Sequence, residues 1–130
     1  MRICLALPAA AGLAAFPALA EPPRISLVFG TDTLEAQAED IRAVRRIDEA
    51  RGSALFIRLS PAFDAAMLAL TSAHVGDTGR LMICAETVVE PVLHAPIGEA
   101  VFVISDTDTA RIDRLEALLA GPSCAEVPDG

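Results

Sequence analysis

The chain of 130 residues contains no Lys, no Trp and no Tyr, and only five Phe. Without Lys there is no Schiff-base amine and no phosphate-loop lysine. Five Phe must serve the core before they serve anything else, so surfaces for stacking bases or sugars are scarce. Positive charge is also short. Ten Arg face 18 Asp and Glu, and all 18 acids lie after residue 20. Past that residue nine Arg remain, a net charge of −9, which excludes nucleic acid and acidic lipid as natural partners. Catalytic signatures are missing as well: there is no G-x-S-x-G, H-E-x-x-H, C-x-x-C or phosphate loop. What remains is an apolar content of 53% with 22% charged residues, the balance of one globular domain with a single core.

The first 20 residues, MRICLALPAAAGLAAFPALA, are built like a secretory signal. Arg2 and the amino terminus supply the positive region, Ile3 to Leu13 the apolar one, and Ala18-Leu19-Ala20 a small-x-small cleavage site. The uncharged run from Ile3 to Ala20 also has the length of an uncleaved anchor. Pro8, Gly12, Pro17, the weakly apolar Ala residues and the following Glu21-Pro22-Pro23 favour cleavage. Periplasmic export is therefore expected, with no membrane span after cleavage. Removing Cys4 with the signal leaves Cys84 and Cys124, an even pair in an oxidising compartment, which suggests a disulfide. The alternative is a buried free Cys84 and a loose Cys124.

Ile25–Phe29 reads as a strand, Gly30 to Thr33 as a turn, and Leu34 to Asp40 as a linker or a short helix capped by Thr31 or Asp32. Ala43–Asp48 and Ala54–Leu59 read as a hairpin around Glu49 to Gly52. Ser60-Pro61 opens a helix, on which Phe63, Met67, Leu70 and His74 fall along one face. Gly76 and Gly79 end it. Arg80 to Ala85 hardly alternates, as a central strand would. Glu86-Thr87 turns into a strand at Val88-Val89. Pro91 and Pro96 confine Val92 to Ala95 to an edge or a loop. Val101–Ile104 is a further strand. Thr107 caps a last helix with the stripe Ile112, Leu115, Leu118 and Leu119, stopped by Gly121-Pro122. The expected class is α+β: one small domain, mainly antiparallel sheet, with two amphipathic helices packed on one face.

No candidate site residue carries catalysis in this pattern. His74 lies on the apolar face of its helix and is read as half-buried, satisfied by helix carbonyls, and His94 as exposed between the prolines. Zinc on His74, His94 and Cys84 has no supporting spacing. Asp106 and Asp108 lack the repeated oxygen positions of a calcium loop and read as helix capping. Glu86 and Glu90 read as a solvated rim. No catalytic residue, metal or cofactor is expected.

From Asp40 to Gly121 the order of features resembles the head subdomain in the first periplasmic region of SecD. The matching pieces are Asp40-Ile41 before a strand, Leu59-Ser60 before a helix, and Met67, Leu70-Thr71 and Gly76 along it. Further on come Leu81-Met82-Ile83 with Glu86, then Pro91-Val92-Leu93 with Pro96-Ile97-Gly98, then Ile104-Ser105, Thr107 and Gly121. Departures are Phe63-Asp64, Glu86-Thr87 for the usual Asp-Gly turn, Glu99-Ala100 and Asp106. Cys84 and Cys124 stand outside the pattern. The resemblance divides the chain into a signal (1–20), an N-terminal strand and linker (21–39), a SecD head-like domain (40–121) and a tail (122–130). It implies contact with unfolded polypeptide or an envelope protein, no catalytic residue, and no proton-driven transport, since SecD couples through membrane spans that this sequence lacks after its signal.

The function expected is that of an exported, non-enzymatic interaction module for a polypeptide or an envelope or secretion partner. The competing reading is a periplasmic small-ligand-binding protein for a cationic or apolar molecule. Val92, Leu93 and Ile97 are the candidate contact residues, held extended by Pro91 and Pro96. Burial of the same three in the core is the competing account.

Overall fold

The computed structural model describes residues 21–125. The expected signal and the last five residues of the tail lie outside them. Seven strands and two α-helices follow one another as β1 (Ile25–Phe29), β2 (Asp32–Ala36), β3 (Ile41–Glu49), β4 (Gly52–Leu59), α1 (Asp64–Ser72), β5 (Arg80–Ile83), β6 (Glu86–Val89), β7 (Val101–Asp106) and α2 (Thr109–Ala120). The fold is α+β, and every strand pair is antiparallel.

The strands divide into two sheets, ordered β2-β1-β5-β6 and β3-β4-β7, where the sequence reading placed both helices on one sheet. The cause is β1. Its Ile25 and Leu27 stand opposite Ile83 and Leu81 of β5, so the N-terminal strand, buried on both sides, takes an interior place. The helices divide accordingly. α2 packs against β3, β4, β7 and the end of β5, and α1 against β2. One continuous core still draws on both sheets and both helices.

Local corrections have local reasons. Residues 34–40 were expected as linker or helix. Asp32–Ala36 is instead a strand in register with β1, with Leu34 and Ala36 buried and Asp32, Thr33 and Glu35 exposed. That alternation outweighs the acidic composition. Gly30 at φ +60° makes the two-residue turn before it. The turn expected at Glu86-Thr87 lies two residues earlier. Cys84 and Ala85 both take positive φ, 50° and 67°, and Glu86 already faces Ile83 in the ladder. Asp108, not Thr107, caps α2 by accepting from the amides of Ala110 (3.1 Å) and Arg111 (3.2 Å). A carboxylate fits the positive end of a helix better than a hydroxyl. The Ser60-Pro61 start begins as a single 3₁₀ turn over Pro61–Phe63 that runs into α1.

Two ties close the termini onto the core. Cys84 and Cys124 are joined by a disulfide, their Cα atoms 5.5 Å apart. Arg24, 1% exposed, turns its guanidinium onto the last carbonyls of α2. Arg46 of β3 binds Asp48 and reaches Asp113 and Glu116 on α2, which fastens the edge of the three-stranded sheet to that helix.

Candidate functional site: an apolar groove between two sheet edges

Residues 90–100 contain Pro91 and Pro96, which cannot donate to a ladder, and the segment forms only an isolated bridge, Val92 to Thr78. It is pinned from outside the sheets instead. The amides of Gly76 and Gly79 donate to Leu93 (2.7 Å) and Pro91 (2.8 Å), and the amide of Leu93 donates to Asp77 (2.9 Å). Thr71 Oγ1 accepts from the Ile97 amide at 2.8 Å while donating to the Met67 carbonyl at 2.7 Å. The C-terminal half of α1 and the loop after it therefore build this wall. Gly79 permits the close approach: a Cβ there would lie 2.5 Å from Phe29 Cε1.

The wall bounds a groove of about 460 Å³ whose floor is Leu27, Phe29, Met67 and Leu81. Val89 closes one side, and Val101, Phe102 and Val103 of β7 the other. β6 and β7 are the outer strands of their sheets, so the groove runs between two edges without strand partners among the described residues. Val92 (50%), Ile97 (37%), Val89 (40%) and Val103 (50%) are exposed around it. The three candidate contact residues separate here. Val92 and Ile97 line the groove from the surface, while Leu93, 6% exposed, belongs to the core, fixed there by bonds through both its amide and its carbonyl. His94 is exposed at the rim.

Behind the wall, Asp64 of α1 takes two bonds from Arg58 (2.8 and 3.1 Å) and one from the Ala100 amide (2.9 Å). These hold its carboxyl below the ordinary carboxylate range, Arg58 most of all. His74 differs from its sequence reading. Its ring partners are carboxylates, with Nε2 2.7 Å from Asp32 and Nδ1 2.8 Å from Asp77, and it stacks on Phe29 at 5.5 Å. Both carboxylates, Asp32 foremost, pull its pKa above the usual imidazole value. Asp32 was not legible from the sequence, because it arrives from β2, 42 residues away, whereas Asp77 lies only three residues on.

A second, polar cavity of about 590 Å³ lies farther along the same edges, among Glu49, Arg51, Ser105, Asp106, Thr107 and Arg111. Its Arg111 is committed to Asp106 (2.9 Å) and to the Val88 carbonyl (2.8 Å). Among the described residues no three His, Cys, Asp or Glu side chains are grouped to hold a metal ion, and no helix is long and apolar enough to cross a membrane.

No family model matches the sequence, and no curated protein matches it. The fold is similar to two solved structures of SecDF. One, described as a membrane component that enhances protein export, superposes with a TM-score of 0.57 at 14% identity over 80% of this chain and 52% of its own. The other, SecDF in a super-membrane-facing form, gives 0.56 at 13% identity over 68% of this chain and 12% of its own. The chain thus spans about half the length of the first and a small part of the second. The likeness is one of fold.

Proposed function

We propose that the chain is an exported, non-enzymatic interaction module that holds an extended apolar stretch of polypeptide in the groove beside the Pro91–Ile97 wall. The observation that carries this reading is the ring of exposed Val89, Val92, Ile97 and Val103 around an apolar floor, next to an edge strand whose outer side has no strand partner among the described residues. A segment laid along β7 takes main-chain bonds from the strand and buries alternate side chains, the mode of strand addition. Contiguous exposed apolar surface of this kind marks interaction sites. The acidic surface favours segments flanked by basic residues. The likeness to SecDF supports a setting in protein export, and the signal-like first 20 residues support the periplasm. The exported protein should begin at Glu21 by intact mass. A membrane-bound form retaining Met1 or Arg2 would contradict that.

A photoreactive phenylalanine analogue at Val92 or Val103 of residues 21–130 tests the reading. The partner is an unfolded polypeptide rich in Val, Ile and Leu between Arg residues. Crosslinks are expected from both positions and not from exposed Ala117 on α2. Equal labelling from Ala117, or none from the groove, would defeat it. The groove volume also suits a small apolar molecule. Under that reading an apolar fluorescent probe binds saturably and the polypeptide does not displace it.

A further inference from the structure

His74 stands at the junction of the groove's floor and its wall. Its ring stacks on Phe29, which lines the floor. Through Nδ1 it holds the side chain of Asp77, whose backbone carbonyl accepts the Leu93 amide. Nε2 holds Asp32, at the start of β2. Among the described residues these two carboxylates are the charged groups that face the ring, one from β2 and one from the loop after α1; Phe29 of β1 covers a face of it without charge. Only a doubly protonated imidazole donates from both nitrogens. A neutral ring has one N–H, and its other lone pair then opposes a carboxylate. Asp32 and Asp77 are both more than half exposed at their side chains, whereas the ring is largely covered. On proton loss a carboxylate, rather than the ring, is free to swing into water.

We propose that His74 is a proton-operated latch on the groove: as imidazolium it fixes Asp77 and through it the Pro91–Leu93 part of the wall, and on deprotonation it releases the wall and loosens the groove. The proposal rests on the groove being the site and adds its regulation. The sign follows from the partners. A histidine whose folded pKa is raised stabilises its surroundings fully below its unfolded value, about 6.5, and loses that contribution as pH rises through the folded value. The latch is closed while the ring is protonated and its two carboxylates are charged, and it opens as pH rises through the ring's folded pKa, which lies above the ordinary imidazole value.

Hydrogen exchange of residues 21–130, corrected at each pH for the intrinsic rate, tests the latch without any ligand. A groove that binds nothing therefore leaves the result intact. Protection of the Gly76 and Leu93 amides should be level between about pH 5 and about pH 6.5, where carboxylates are charged and the ring is protonated. It should then fall by about tenfold as the His74 ring, followed by its NMR signals, loses its proton. The β1 and β5 amides should not follow. In His74→Gln the same two amides should be poorly protected at every pH. Asp77→Asn cuts the arm to the wall and should likewise abolish the pH dependence at Leu93 while leaving the fold intact. Titration of the ring with unchanged protection at Leu93, or an equal loss throughout the sheets, would overturn the proposal.

Discussion

Arg24 Nη1 lies 2.7 Å from the carbonyl oxygen of Gly121, and 3.3 and 3.4 Å from those of Leu118 and Leu119. The residue before the first strand thus caps the C-terminus of the last helix, where unpaired carbonyls and the negative end of the dipole collect. The guanidinium is buried to do so, and among the described residues its Nε has no partner. Burying the charge is costly, and among the described residues the helix end offsets it.

Arg24→Ala should therefore destabilise the domain by about 2–4 kcal/mol in urea unfolding, because the buried carbonyls lose their donor. Arg24→Lys should recover only part, since an ammonium cannot reproduce the fork of donors. A loss below about 0.5 kcal/mol, the level of an ordinary surface change, would show that water caps the helix equally well.

The turn at Cys84-Ala85 places two residues with side chains at positive φ, where glycine or asparagine normally sits. Ala85→Gly should stabilise by up to about 1 kcal/mol by relieving the left-handed conformation. Serine at both Cys84 and Cys124 removes a constraint across a separation of 40 residues and should cost about 4 kcal/mol in the chain-entropy model. Unfolding of the non-reduced and reduced protein in parallel would expose a bridge that contributes nothing.

Acid should weaken the groove wall from behind. The Asp64 carboxyl is held low by Arg58 and the Ala100 amide, so its contribution is present above the unfolded carboxylate value, about 4, and is lost as pH falls through the folded one. Asp64→Asn should flatten the fall in stability below about pH 4. An unchanged acid limb would assign it to Asp48, Glu86 and Asp106, whose pKa values are also lowered.

Neighbouring residues on the wall should behave oppositely. Leu93→Ala should cost about 2–4 kcal/mol as a core truncation, while Val92→Ser, half exposed, should stay within about 0.5 kcal/mol. Equal losses would mean that Val92 is packed as tightly as Leu93.

What was legible in the sequence was whatever depends on neighbours along the chain. The β3–β4 hairpin, the Ser60 start, the α2 stripe and the confinement of Pro91 to Pro96 all follow from local spacing and turn chemistry. The position of β1 does not, because its pairing with β5 spans more than fifty residues and sends the strands into two sheets. Distance along the chain likewise hid the Asp32 partner of His74, 42 residues away, and the cap supplied by Arg24, 97 residues from Gly121. Val92, Leu93 and Ile97 stand as candidates in the sequence, which cannot sort them by burial: Leu93 is turned inward by bonds to Gly76 and Asp77, groups that only the folded chain brings together.

The most direct test of the account is a map of amide shifts on ¹⁵N-labelled residues 21–130, titrated with a short extended peptide of Val and Ile flanked by Arg. The account predicts saturable shifts confined to β7, Val89, Val92, Ile97 and the floor around Phe29. It also predicts that Val103→Asp leaves the fold intact and weakens binding at least about tenfold. Shifts centred on another face, undiminished binding by Val103→Asp, or no binding up to about 1 mM peptide would contradict it.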